Sequence, residues 1–158
     1  MPVIELTTVI NAPIERCFDL SRSVDVHLLS TAQTHEKAIA GVTKGLMNKG
    51  EQVTWRAKHF GIYQKLTTLI LEMDTPVSFI DIQLKGAFKK LHHTHLYEQQ
   101  GEQTIMKDIF VFESPMGILG KVINRLILTN YMKRFLIARN LRIKSVAESN
   151  EWQKYLNK

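Results

Sequence analysis

Along most of the chain apolar and polar residues alternate with a period of two, giving way to helical spacing only after the first such run and again near the C-terminal end. Val3 to Ile10 sets Val3, Glu5 and Thr7 against Ile4, Leu6 and Thr8, which predicts a strand. That strand stops at Asn11-Ala-Pro13, where Asn suits a cap and Pro the first turn of a helix running through Glu15, Phe18 and Leu20 to about Ser21. A second short helical segment over Ser23 to Ser30 carries the chain onward. Further strands are predicted near Lys37 to Gly41, Glu51 to Phe60, Ile62 to Asp74, Val77 to Leu84, Lys89 to Gln99 and Gln103 to Glu113. Their separators, Gly61, Thr75-Pro76, Gly86 and Gln100-Gly-Glu102, are short, which implies antiparallel neighbours. A long helical stretch, Gly117 to Ala147, closes the pattern, with Leu119, Val122, Ile123, Leu126, Ile127, Phe135, Leu136 and Ala138 at helical spacing.

The broad apolar face of that helix has only the sheet to bury itself against. The predicted class is α+β: a seven-stranded antiparallel sheet wrapped around a long C-terminal helix, with two short helices between strands 1 and 2. Side chains do not fill the open end of such a layer pair, so a cavity is expected there, and with it a small-molecule guest.

Period two also sorts the side chains by face. In the sixth strand Leu91, His93, His95 and Tyr97 share one side. In the seventh, aromatic bulk puts Phe110 and Phe112 inside and carries Met106 and Asp108 with them. Apolarity alone would bury Ile80, Ile82 and Leu84 of the fifth strand and turn Phe79, Asp81 and Gln83 outward. Trp55 shares a face with Val53, Ala57 and His59, and fits either a pocket wall or plain core. Tyr131 offers a hydroxyl either to the cavity or to solvent. His27 and His35 follow the first helices and are expected to face solvent. Cys17, spaced with Ile14 and Phe18, is expected to be a buried thiol of a helix face.

A length of 158 residues with 44% hydrophobic and 23% charged positions suits one globular domain with a sizeable core. No stretch approaches a membrane span, and the start lacks a basic region followed by an apolar block, so a cytoplasmic protein is expected. The single cysteine excludes an internal disulfide. The net charge of +6 is concentrated in the long helix, where Lys121, Arg125, Lys133, Arg134, Arg139, Arg142 and Lys144 occur without an acid. This reads as a solvated outer face, or as a surface for transient contact with an anionic membrane. Nucleic acid is not an expected partner, since no recognised motif accompanies the bases. No cofactor is expected either: the chain has no Gly-rich phosphate loop, no Gly-x-Ser-x-Gly and no paired cysteines. His93 and His95 project side by side and, with His59 or Asp108, form a three-ligand metal pattern, but no metal-site spacing supports it and no metal is expected.

Several segments resemble a known superfamily. Ile10-Asn-Ala-Pro-Ile-Glu-Arg-Cys-Phe-Asp-Leu-Ser21 is similar to the first strand and helix of START-like (SRPBCC, helix-grip) proteins. Val53-Thr-Trp-Arg-Ala-Lys-His-Phe-Gly61, Phe79-Ile-Asp-Ile-Gln-Leu-Lys-Gly86, His93-Thr-His95 with Tyr97, and Met106-Lys-Asp108 leading to Ser114-Pro-Met-Gly117 resemble a bacterial ligand-binding, cell-division-inhibitor-like group within it. The resemblance implies a helix-grip fold. Relatives of that group carry charged residues where this chain has Ile82 and Leu96, which implies that these face outward and that Asp81, Gln83, His93, His95 and Asp108 line the concave face. Relatives also place a Trp where this chain has Leu91.

The expected function is non-catalytic binding of a hydrophobic or amphiphilic small molecule, with Trp55, His59, Asp81, Gln83, His93, His95, Met106, Asp108, Phe110 and Tyr131 as the ligand-binding set. One alternative is a cyclase or dehydratase using Asp108 with His93 or His95 as an acid/base group. Another is a peripheral lipid binder docking through the basic helix.

Overall fold

The structure, a computed structural model, describes residues 1–114 and 127–156. Strand β1 (Val3–Ile10) leads into helices α1 (Ile14–Ser21) and α2 (Val24–Ser30) and a single 3-10 turn. Six strands follow: β2 (Lys37–Gly41), β3 (Gln52–His59), β4 (Ile62–Asp74), β5 (Ser78–Lys85), β6 (Lys90–Gln100) and β7 (Gln103–Glu113). Helix α3 (Thr129–Glu148) and a short α4 (Trp152–Leu156) complete the described chain. The seven strands form one antiparallel sheet in the order β1-β7-β6-β5-β4-β3-β2, so the first strand pairs with the last and the rest form a meander. Helices α1 and α2 and the long α3 cover its concave side.

Local chemistry explains the element boundaries. Ser23 caps α2, its hydroxyl accepting from the Val26 N–H at 3.2 Å. Helix α1 is begun differently from the sequence expectation: Pro13 occupies the cap position, and Gln99 of β6 accepts the Ile14 N–H at 2.7 Å. Asn11 is therefore not the cap, and its own N–H goes to Glu148 at 2.8 Å. Gly41 closes β2 with φ 74°, where the Gln52 backbone carbonyl leaves no room for a Cβ.

Beneath α1, Phe18 meets Phe79 and Tyr97 edge-on at 5.5 and 5.4 Å, tying the first helix to β5 and β6. Cys17 is fully buried there. Alternation holds on β6, where Leu91, His93, His95 and Tyr97 are buried, and on β7, where Met106, Asp108, Phe110 and Phe112 are. On β5 Phe79 is buried while Leu84 is exposed, so the apolar reading of that strand gives way to the inward Phe79 register.

The first turns expected of the long helix, with Leu119, Val122, Ile123, Leu126, Lys121 and Arg125, lie outside the described residues. Within them α3 buries Leu136, Arg139, Asn140, Ile143, Val146 and Ala147. Their spacing of three and four residues marks one face. Ile127 and Ala138, expected to be apolar contacts, are exposed, because this face is rotated to bring Arg139 and Asn140 onto the sheet. Arg139 thus leaves the solvated basic face, on which Lys133, Arg134 and Arg142 remain. No helix among the described residues is long and apolar enough to cross a membrane.

Candidate functional site

Strand β6 carries His93 and His95 two residues apart, so both rings stand on the concave face. Register places Asp81 of β5 opposite His93 and Asp108 of β7 opposite His95. The hydrogen bonds run along the diagonals. His93 Nε2 donates to Asp108 Oδ1 at 2.8 Å, and His95 Nε2 donates to Asp81 Oδ2 at 2.7 Å. The imidazole centroids lie 3.7 Å apart, and Phe79 stacks on His95 at 4.0 Å.

Helix α3 completes the cluster from above. Asn140 Nδ2 donates to Asp108 Oδ2 at 2.7 Å, and Arg139 Nη1 donates to Asp108 Oδ1 at 3.4 Å and to Asn140 Oδ1 at 2.9 Å. Burying such groups unpaired would cost a few kcal/mol each, so their mutual bonding is what permits them in the core. One atom does not share in it. His95 Nδ1 is buried without a hydrogen-bond partner among the described residues, although Asp108 Oδ1 is 3.3 Å away, out of line.

Electrostatics follow from this arrangement. Burial alone would raise the Asp108 carboxyl, but the His93 hydrogen bond, the adjacent His95 ring and the Arg139 charge outweigh it and hold the group well below the usual carboxylate range. Asp81 is lowered in the same way, against its burial, chiefly by His95 and then by His93 and Arg139. Burial, reinforced by the neighbouring His95, pushes His93 down to about 4, so its ring is neutral at pH 7. An ionised Asp108 accepts only, so His93 carries its proton on Nε2 and presents a bare Nδ1 lone pair, 4.0 Å from Asp81 Oδ2.

A cavity of about 160 Å³ lies between the sheet and α3. Trp55, Leu66, Phe79, Phe110 and Leu136 supply apolar walls, and Asp81, His93, His95 and Arg139 a polar one. Of the expected set, Trp55, His59, Asp81, His93, His95 and Phe110 border this space. The other four stand outside its lining. Asp108 is fully buried within the cluster, and Met106 is fully buried beside the Ser21 hydroxyl. Gln83 is turned to the backbone of Phe88, donating to its carbonyl at 2.7 Å and accepting its N–H at 3.3 Å. The Tyr131 hydroxyl meets His59 Nδ1 at 2.6 Å, behind a ring that does border the cavity. Burial lowers His59, against the pull of Glu36.

His27 corrects an expectation. Rather than facing solvent, it lines the cavity, its ring tilted against Trp55 with centroids 4.1 Å apart and bonded to Glu36 at 2.6 Å. His35 is exposed, as expected. Arg139, Asn140, Phe79 and Leu136 were not in the expected set. Their signal was the stripe Leu136, Arg139, Asn140, Ile143 on α3 and the inward register of β5.

Known structures share this frame. TTHA0849 from Thermus thermophilus matches over 92% of this chain and 99% of its own, with TM-score 0.72 and 15% identity. A START superfamily protein from Mycobacterium smegmatis matches over 91% and 98%, with TM-score 0.68 and 11% identity. The fold is START-like. The same START-like frame matches the Zhui aromatase/cyclase from Streptomyces sp. R1128 over 93% of each chain, with TM-score 0.70 and 15% identity. No family model and no curated protein matches the sequence. At these identities the likeness establishes a START-like fold, and the chemistry rests on the side chains.

Proposed function

We propose that the protein binds a compact, largely apolar organic molecule bearing one hydroxyl, held between the sheet and α3. The observation that carries this reading is a cavity of about 160 Å³ with largely apolar walls and a polar wall made by Asp81, His93, His95 and Arg139. An apolar void of about 150 Å³ accepts a benzene-sized molecule, so a substituted ring fits and an extended acyl chain does not. Affinity comes from apolar burial, at roughly 25 cal/mol per Å². The polar side selects the functional group. The His93 Nδ1 lone pair and the Asp81 carboxylate are acceptors, which suits a guest O–H, and with Arg139 on that wall already bonded to Asp108 and Asn140 they disfavour a guest carboxylate.

Titration of the protein with phenol, benzoate and decanoate, followed by two-dimensional NMR, tests the reading. Phenol is expected to shift the Trp55 indole and the β6 amides, benzoate less and decanoate least. Leu136→Trp, which fills the void, is expected to abolish the phenol response. Equal response to all three, or full binding by Leu136→Trp, would sink the proposal.

A proton-transfer enzyme is a second reading, favoured by the 2.7 Å His95–Asp81 pair on the cavity wall. In that case Asp81 and His95 would meet the substrate, and Asp108, which does not border the cavity, would position the rings. Turnover that survives Asp81→Asn undiminished would remove this reading.

A further inference from the structure

We propose that Asp81 Oδ2, His93 Nδ1 and His95 Nε2 form a binding site for a divalent transition-metal cation of the zinc or cobalt class, open toward the cavity. The donor atoms of these three residues lie within 4.8 Å of one another, and all three residues border the cavity. Tetrahedral zinc with bonds of about 2.0–2.1 Å needs ligand atoms about 3.3 Å apart. The present separations of 2.7 Å (Asp81 to His95) and 4.0 Å (Asp81 to His93) bracket that value. Two imidazoles and one carboxylate select a transition metal over magnesium or calcium.

The surroundings fit a cation in two further ways. His93 turns its Nε2–H to Asp108, which leaves Nδ1 free to ligate. His95 now spends its Nε2–H on Asp81 while its Nδ1 is buried without a partner among the described residues. A metal on Nε2 would displace that proton and put a proton on Nδ1, 3.3 Å from Asp108 Oδ1. Asp108 would then back both ligating rings, itself fixed by Asn140 and Arg139, as carboxylates behind metal-bound histidines do. Three protein ligands leave a fourth position facing the void for water or a guest oxygen.

The site shares His93 Nδ1 and Asp81 with the polar wall proposed above to receive a guest hydroxyl, but it needs no guest, so metal alone tests it and its failure leaves the guest reading standing. The full chain, dialysed against a chelator, is titrated with Zn²⁺ and with Co²⁺ while histidine ring nitrogens are followed by ¹⁵N NMR. One equivalent of Zn²⁺ is expected to shift the ring nitrogens of His93 and His95, and Co²⁺ to develop the intense visible bands of a tetrahedral site. Asp81→Asn is expected to weaken Zn²⁺ binding at least tenfold with unchanged far-ultraviolet circular dichroism. Should Asp81→Asn fail to fold, the wild-type ring signals decide. Zn²⁺ uptake that leaves those rings unshifted, full affinity in folded Asp81→Asn, or no stoichiometric uptake by the wild-type chain would each overturn the site.

Discussion

Asn140 of α3 donates to Asp108 of β7 at 2.7 Å, the shorter of two bonds, with that from Arg139, that fasten the long helix to a carboxylate with no solvent exposure. Removing it by Asn140→Ala leaves a charged acceptor short of a donor. A loss of about 1.5–3 kcal/mol is expected, read from urea unfolding at neutral pH. A change within experimental error would mean that this bond does not hold the layers together.

Asp108→Ala is expected to be harsher, because it strands the Arg139 guanidinium in the core. Breaking a buried pair from one side costs about 3–5 kcal/mol. Adding Arg139→Met to Asp108→Ala removes the stranded charge, and the double variant is expected to be more stable than Asp108→Ala alone. Strict additivity in this mutant cycle would show that the two groups do not interact.

Acid is expected to unfold the protein early. The His93 ring titrates near 6.5 in the unfolded chain and is pushed down to about 4 when folded. Between those values the unfolded chain binds more protons, so stability falls as pH falls, by on the order of 3 kcal/mol across the window. Asp81 and Asp108, both held low, act in the same direction at lower pH. Their stabilisation is complete above the unfolded carboxyl range and is lost as pH drops through the folded values. Urea midpoints measured from about pH 7 down to about pH 4.5 check this, and a flat profile would contradict a neutral, buried His93.

Gly41→Ala is expected to destabilise by about 1–3 kcal/mol or more. At φ 74° an added Cβ would fall 2.2 Å from the Gln52 carbonyl oxygen, a backbone atom without freedom to move aside. Hydrogen exchange should report the damage first at Val42, whose N–H bonds that same carbonyl at 2.8 Å.

Strands and their order along the chain were legible because alternation there is uninterrupted, while β7, apolar on both faces, was turned the right way only by the aromatic bulk of Phe110 and Phe112. Spacing alone put His93 and His95 on one face of β6; bringing Asp108 and Asp81 to that same concave side took the aromatic bulk of β7 and the family resemblance. Strand β5 could not be resolved by hydrophobicity, since isoleucines stand on its outer side and Asp81 and Gln83 on its inner one. The largest omission was Arg139 with Asn140. In an acid-free run a cation reads as solvated, and its compensating carboxylate comes from Asp108, 31 residues upstream, which helical periodicity does not see. His27 was missed for a similar reason: its partners Trp55 and Glu36 come from other elements.

The counter-charge for Asp108 arrives late in synthesis. Every strand among the described residues precedes α3, so a nascent chain that has emerged only as far as β7 must either leave the Asp108 carboxylate wet or hold it dry without Asn140 and Arg139. The first choice is far less costly. Closure of the interior should therefore wait for translation to pass the helix, making the grip of sheet on helix a post-β7 event rather than one that grows strand by strand.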